Sequence, residues 1–424
     1  MTKQNQTTDV LVVGAGIAGI EASLLLSKAD RKVHLVEQSS ITGGQTIKFE
    51  EVFSNMECST CMVAPRQQDL LQDNNITLHT LSTIKALKGS EGKFTVTIHK
   101  KARYVDMVNC IGCNACFDPC PVSLPNEFEE SLSERKAIYV PCPGALPNVP
   151  MIDTENCLRF KGKTCTACQE ACMFEAIDYT QKDEELTLNV GAIIIATGYD
   201  LFDATTLKQY HYKDLENIYS SMEFERLYAS NGPTEGAITL QNGKEPKTAA
   251  IIHCVGRESV GYCSSVCCMY SLKFIHYLTS KLPDIKITEF YTDFCIPGKS
   301  HQRFYDKMKE HKVSMIRSSD IGLAKQGNGL AVTYKDAQGS SQSHPVDMAI
   351  LAPAVQPGAS TPTLAKTIDL SLDKYGFFKE GAASSILSSK PGIYIVGCAQ
   401  GAKNIQESVS QANAAVGKIL SSSL

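Results

Sequence analysis

The sequence predicts an α/β fold, a Rossmann-like nucleotide-binding sheet interrupted by a cysteine-rich insert. Three observations predict it. Asp9 to Gly19 reads DVLVVGAGIAG, an apolar strand running into a glycine-rich turn and a helix. Ala192 to Gly198 reads AIIIATG, another apolar strand with a tight turn, far down the chain. Between them, Cys110, Cys113, Cys116 and Cys120 stand in CIGCNACFDPCP. That spacing, C-x2-C-x2-C-x3-C-P, suits thiolates that grip a 4Fe–4S cluster.

The first turn can be read residue by residue. Gly14 permits the tight turn, Gly16 lets backbone N–H groups approach a pyrophosphate, and Gly19 allows close helix–sheet packing. The helix N-terminus favours negative phosphates. The next strand, KVHLVEQ, carries Glu37, an acid at the distance that reaches a ribose hydroxyl. A glycine-rich turn without a ligand is the alternative. Ile41 to Gln45, ITGGQ, is similar to the turn that flavoproteins set beside their cofactor, through Gly43, Gly44 and Gln45. The Thr197–Gly198 turn is typical of the two-dinucleotide-binding flavoproteins, so FAD is the expected dinucleotide. Gly392 to Ala399 reads GIYIVGCA and brings Gly397, Cys398 and Ala399 to the same cofactor. In that family this strand usually ends Gly-Asp, the acid binding the ribityl chain; here Cys398 stands in its place. The next helix, NIQESVSQANAAV, is expected to aim its positive end at the flavin pyrimidine ring.

The cysteine run matches bacterial ferredoxins, in which the fourth cysteine ligates a second cluster. A partner run follows: Cys157, Cys165, Cys168 and Cys172, spaced C-x7-C-x2-C-x3-C, with Met173 where proline is usual. Crossing the runs assigns Cys110, Cys113, Cys116 and Cys172 to one cluster, and Cys157, Cys165, Cys168 and Cys120 to the other. Zinc and a disulfide framework are the rival readings.

A pyridine-nucleotide flavoenzyme would carry a second glycine fingerprint after the Ala-Thr-Gly turn. The strand is there, TAAIIHCVG from Thr248 to Gly256, but the fingerprint is not. Cys254, Cys263, Cys267 and Cys268 replace it, in CVGRESVGYCSSVCC. Neighbouring residues sit about 100° apart on a helix, so Cys267 and Cys268 do not readily share one packed face. A third cluster is one reading; small buried hydrophobes, as free cysteines often are, is the other. Lys273 follows in VCCMYSLKFIHYL, a segment apolar almost all round, as in a buried helix, although a helical lysine is ordinarily solvated.

A length of 424 residues allows two to three domains. The expected parts are an FAD domain over 1–105, 182–247 and 346–424, a ferredoxin-like insert over 106–181, and a degenerate nucleotide-binding domain over 248–345. A hydrophobic share of 43% permits large cores, and a net charge of −4 gives no signal for nucleic acid. The polar start shows no secretory signal, and no apolar run reaches the ~20 residues of a membrane span. The expected location is therefore cytoplasmic, where thiols stay reduced and 17 clustered cysteines mean metal or redox chemistry.

These pieces resemble the A-type subunits of the heterodisulfide reductases and of the quinone-interacting membrane-bound oxidoreductase. The resemblance rests on CVG…YCSSVCCMYSLK, PNEFEESLSERKAIYVP, ECSTCMVAP and GCAQGAKNIQESVSQA, and spans most of the chain. It implies that Cys254, Cys263, Cys267 and Cys268 hold a 4Fe–4S cluster beside FAD, making three clusters in all. It also implies that Lys273 lies near flavin N5, where an ammonium favours anionic reduced flavin. The loop from Cys254 to Cys263 is shorter than in typical heterodisulfide reductases. The extra N-terminal cluster domain and C-terminal ferredoxin domain of full-length subunits are not seen, a layout similar to the quinone-linked subunit.

The function this implies is an FAD and iron–sulfur electron-transfer subunit of a cytoplasmic complex. Its expected partners are other iron–sulfur subunits, with a membrane quinone module as a further one, in a homo- or hetero-oligomer. Flavin-based bifurcation belongs to one branch of the family. A second reading is an NAD(P)H-dependent flavin disulfide reductase using Cys58 and Cys61, a C-x2-C pair. A third is a redox sensor or scaffold with structural clusters. Cys142 and Cys295 lack metal-like spacing and read as packing residues, and His253 and His276 as core or surface histidines.

Overall fold

The computed structural model describes residues 9–327 and 329–422. The polar start, residues 1–8, lies outside them. Two parallel five-stranded sheets organise the chain. In the first, the order is Ile393–Ile395, Ala192–Ile195, Val10–Val13, Val33–Val36 and Ile76–His79, all parallel. Alternate side chains of Val10–Val13 serve opposite faces, as a strand requires. Val10 and Val12 pack under helices Ile17–Lys28 and Ile405–Ser421. Leu11 and Val13 pack against Phe94, Val96, Ile98 and Val190 of an antiparallel three-stranded sheet. Burial on both faces explains why these strands read as unbroken apolar runs.

The second sheet repeats the plan. Its order is Ile218–Ser220, Met348–Pro353, Thr248–Val255, Lys286–Tyr291 and Ser314–Arg317, again parallel. Ile251 faces the helices Ser221–Tyr228, Cys267–Lys281 and Lys299–Lys309. Ala250 and Ile252 face the antiparallel meander Ile321–Gln326, Gly329–Lys335 and Ser341–Val346. The chain therefore has the two-dinucleotide-binding α/β architecture, with a second Rossmann-like sheet whose glycine fingerprint is gone.

The cysteine-rich segment forms little regular structure. It has two short hairpin pairings, Ser123–Pro125 with Glu134–Lys136 and Ile138–Tyr139 with Met151–Ile152, and one short helix, Ala167–Glu170. Its core joins Val105, Ile138, Val149, Ile152 and Ile177 to Cys116, Cys120, Cys157 and Cys168. Two buried arginines tie it down. Arg103 donates to the carbonyls of Val149 (2.7 Å) and Ser40 (2.8 Å). Arg226, from the second nucleotide unit, pairs bidentately with Glu129, at 2.8 and 3.1 Å, and donates to the Lys48 carbonyl.

Arg226 and Glu129 are 1% and 4% exposed, so removing one partner strands a buried charge. Glu129→Ala should cost about 3–5 kcal/mol, read as a lower denaturant midpoint. Lys85→Ala, which breaks the exposed pair with Glu185, should cost under about 1 kcal/mol.

Candidate functional site

A cavity of about 1030 Å³ lies between the first sheet's glycine turns, the second nucleotide unit and the cysteine-rich segment. Ligand pockets commonly span about 300–1,000 Å³, so this one suits an extended dinucleotide. Of the residues singled out in the sequence, Gly14, Gly16, Glu37, Gly44, Gln45, Thr197, Gly198, Gly397, Cys398 and Lys273 line it. Gly19, Gly43 and Ala399 do not; they stand behind the lining. A Cβ on Gly19 would lie 1.8 Å from the Gly14 carbonyl oxygen, so Gly19 lets the helix close on the turn. The N–H of Gly43 donates to the Ala15 carbonyl (2.8 Å), which joins the Gly-Gly turn to the fingerprint. Glu37 is held by N–H donors from Ala15 (2.7 Å) and Ser39 (2.8 Å).

Four polar atoms of the lining, Gln45 Oε1, Glu51 Oε2, Thr197 Oγ1 and His301 Nδ1, are buried without a hydrogen-bond partner among the described residues. Each such group costs about 1–3 kcal/mol unless something polar meets it, so the pocket fits a ligand rich in hydrogen-bonding groups. The helix Ile405–Ser421 starts at the cavity, with Asn404 and Glu407 forming a capping box. The Cys398 thiol lies 3.3 Å from the Lys403 carbonyl and does not reproduce a carboxylate.

Lys273 is fully buried in the cavity wall, not solvated. Its Nζ donates to the Glu51 carbonyl (2.8 Å) and is paired with the Glu225 carboxylate. Burial pulls Lys273 down and pushes Glu225 up, and their ion pair opposes both. Tyr277 lies 3.3 Å from the Glu225 carboxylate. Sequence reasoning missed Glu225, because nothing in SMEFERLY marks which glutamate turns inward.

The cysteines gather in three places. Cys110 sits within electrostatic reach of Cys113 and Cys172, and Cys116 within reach of Cys110 and Cys172. Burial pushes the Cys116 thiol up to about 12. Cys120, Cys157, Cys165 and Cys168 line a single small cavity with Ile138, Ile152 and Tyr179. Cys116 and Cys168 also sense one another, so the two groups adjoin. Among the described residues, no three His, Cys, Asp or Glu converge as ligands of a single ion do; the four thiols stand around a cavity instead.

The third group is Cys254, Cys263, Cys267 and Cys268, at the ends of the second sheet. Cys267 and Cys268 open the helix Cys267–Lys281. Contrary to the helical-face argument, both are buried, with Asp293 and Cys295 of the loop after Lys286–Tyr291 set against Cys268. The two thiols act on one another: Cys267 beside it pulls Cys268 down and is itself pushed up. His253 is a core histidine, 3.3 Å from Glu289, and Cys268 and Glu289 hold its imidazole up to about 10 against the effect of burial. His276 is half-buried.

Cys295 lies beside the third group: its N–H donates to Cys268 Sγ (3.4 Å), and its thiol is within electrostatic reach of Cys263. Its one signal was topological, since it follows a strand, Lys286–Tyr291, that pairs beside Thr248–Val255. Cys142 is buried with Ile41, Phe128 and Ala145. Cys58 and Cys61 are exposed where helix Ser59–Gln72 begins, with the Cys61 N–H donating to Cys58 Sγ (3.2 Å). Neither lines the cavity.

Residues 12–62 match the NAD(P)-binding Rossmann-like domain. The A-type subunit of the H(2):CoB-CoM heterodisulfide,ferredoxin reductase of Methanothermobacter marburgensis is 35% identical over 418 residues, covering 96% of this chain and 63% of that protein. The A-type iron-sulfur subunit of the CoB--CoM heterodisulfide reductase of Methanocaldococcus jannaschii is 37% identical over 420 residues, again 96% and 63%. The chain is a homologue of the heterodisulfide reductase A-type subunits. It spans less than two thirds of the length of these two relatives. Among solved structures, the thioredoxin reductase of T. acidophilum aligns with a TM-score of 0.55 at 13% identity, covering 98% of each chain. LpdA from Mycobacterium tuberculosis aligns at 0.55 and 12% identity, covering 99% of this chain and 73% of its own. Those two likenesses concern the fold alone. No helix among the described residues is long and apolar enough to cross a membrane.

Gly14 has φ +103°, and a Cβ there would lie 2.4 Å from the Ala196 carbonyl oxygen. Gly14→Val should therefore weaken dinucleotide binding at least about tenfold, a 1.4 kcal/mol effect, in calorimetric titration of the nucleotide-free protein.

Proposed function

We propose that the chain is the FAD and iron–sulfur electron-transfer part of a heterodisulfide-reductase-like oxidoreductase. One observation carries the reading. A single helix, Cys267–Lys281, begins with two cysteines of the third group and, through Tyr270, Lys273 and Phe274, walls the dinucleotide cavity. When bound, FAD supplies two-electron acceptance with one-electron release, and 4Fe–4S clusters supply one-electron relay.

In this reading Gly14, Gly16 and the first helix N-terminus hold the pyrophosphate, and Glu37 holds the ribose. Gly44, Gln45, Thr197 and the Asn404-capped helix surround the flavin. Gly19, Gly43 and Ala399 support that lining from behind. Cys254, Cys263, Cys267 and Cys268 hold the cluster nearest the flavin. Cys110, Cys113, Cys116 and Cys172 hold one outer cluster, and Cys120, Cys157, Cys165 and Cys168 the other. The proposed parts are an FAD unit, a ferredoxin-like insert over 106–181 and a second unit that, unlike the expected 248–345, also takes in Ile218–Ser220, Ser221–Tyr228 and Met348–Pro353. Lys273 and the helix dipole at Asn404 set the flavin potentials, and bifurcation would require them to hold its two one-electron steps apart.

Partners of iron–sulfur type are part of the proposal, in a cytoplasmic complex with a quinone module as one candidate acceptor. Exposed Met107, Val108, Ile111, Met173 and Phe174 lie in sequence beside Cys110, Cys113 and Cys172, and Val108 is 90% exposed. Apolar side chains around a cluster suit a docking face. The disulfide-reductase alternative is favoured by the contact between Cys58 and Cys61. It is opposed by their absence from the cavity lining and by the cysteines that replace the second fingerprint.

Iron, sulfide and flavin analysis of anaerobically purified protein tests the reading. About twelve irons and one FAD per chain are expected, counting four irons per cluster; zinc in their place would reject it. Lys273→Met should lower the flavin midpoint potential by about 30 mV or more, a tenfold change for a two-electron couple. Glu225→Gln should raise it, because the ammonium is then uncompensated. Spectroelectrochemical titration reads both. NADPH alone should leave the flavin oxidised; rapid bleaching lost in Cys58→Ser would favour the disulfide reductase.

A further inference from the structure

Five thiols, not four, meet at the end of the second sheet. Strands Thr248–Val255 and Lys286–Tyr291 are parallel neighbours, so the residues after each emerge on the same side. Cys254 comes from the first, and Asp293 and Cys295 follow the second. The Sγ atoms of Cys254 and Cys268 lie 3.8 and 3.9 Å from the Asp293 carbonyl oxygen. The Cys295 N–H reaches Cys268 Sγ at 3.4 Å, and the Cys263 thiol is within electrostatic reach of Cys295.

The five are not equally anchored. Cys254 ends a strand, and Cys267 and Cys268 open a helix. Cys263 and Cys295 both hang on loops; they are half-buried, as is Cys254. The Cys263 loop lies between Gly261 (φ +79°) and Ser265 (φ +60°), whose N–H donates to Cys263 Sγ (3.4 Å). A 4Fe–4S cluster takes four protein ligands, so one of five thiols is left over. The three anchored cysteines suit permanent ligation, and the two facing loop cysteines compete for the fourth iron.

We propose that Cys263 and Cys295 exchange as the fourth ligand of the cluster held by Cys254, Cys267 and Cys268. The proposal rests on the reading that this group holds a cluster. The exchange is redox-neutral. The iron–sulfur bond to Cys263 breaks, one to Cys295 forms, and the proton of the incoming Cys295 thiol passes to the departing Cys263 thiolate. The thiol left free stays within electrostatic reach of the bound one. Because hydrogen bonds and solvent exposure at the ligand sulfurs set a cluster's potential, the two ligation states would differ in potential.

The test uses the whole chain, purified anaerobically, with iron and FAD counted for each variant and the clusters followed by electron paramagnetic resonance. Wild type should hold about twelve irons, at four per cluster. Cys263→Ala and Cys295→Ala should each keep about twelve, with a changed resonance signal in the first. The double variant, Cys263→Ala with Cys295→Ala, should fall to about eight while keeping its FAD, which shows that it has folded. A fall to about eight in Cys263→Ala alone would overturn the exchange. A wild-type count of about eight would instead overturn the underlying reading of a third cluster. Alkylation of the native wild type with iodoacetamide gives an independent check. Label shared between Cys263 and Cys295, totalling about one equivalent, is the expected result for four ligands among five thiols. Label confined to one of them would overturn the proposal.

Discussion

An ammonium buried in a cavity wall has to be paired, and the pairing of Lys273 holds the two nucleotide units together. Lys273 comes from the helix Cys267–Lys281 of the second sheet, Glu225 from the helix Ser221–Tyr228, and the Glu51 carbonyl from the first unit. Moving any of the three would leave a buried charge or carbonyl without its partner, at a cost of several kcal/mol. The same helix begins with Cys267 and Cys268. The position of the third cysteine group relative to the dinucleotide cavity therefore follows from the constraint that pairs Lys273.

The cysteine-rich segment obeys a different constraint. It has few residues in strands or helices, and much of its core is made of thiols. A segment with so little apolar surface to bury is stabilised in other small domains by disulfides or metal. Its cysteines are free thiols packed close together, and burial opposes the ionisation of Cys110, Cys116 and Cys168. A cluster would replace that unfavourable desolvation with iron–sulfur bonds, so folding and cluster binding are linked. The buried Arg226–Glu129 pair and the Arg103 hydrogen bonds then set this segment against both nucleotide units.

Much of this architecture was readable in the sequence because it rests on local rules. The strand Val10–Val13, the tight turn at Gly14 and the close approach at Gly19 follow from a short glycine pattern. The long apolar runs follow from sheets buried on both faces. The grouping of Cys120 with Cys157, Cys165 and Cys168 around one cavity agrees with their spacing, and cluster ligation there belongs to the proposal. Other features depend on contacts between distant segments. Cys295 joins the third group only because two parallel strands end side by side, and no spacing rule links it to Cys268. Glu225 is one of three charged residues in its helix, and only tertiary packing turns it toward Lys273. The burial of both Cys267 and Cys268 went against a simple helical-face argument, because a distant loop at Asp293 and Cys295 packs on Cys268.

The central claim is that flavin and clusters form one electron path within this chain. An anaerobic reductive titration of the purified protein, followed by visible absorbance and electron paramagnetic resonance, tests it most directly. The account predicts uptake of about five electrons per chain, two for FAD and one for each of three clusters, with electrons redistributing between flavin and clusters after partial reduction. Uptake of about two electrons by flavin alone, with no reducible cluster signal, would contradict it.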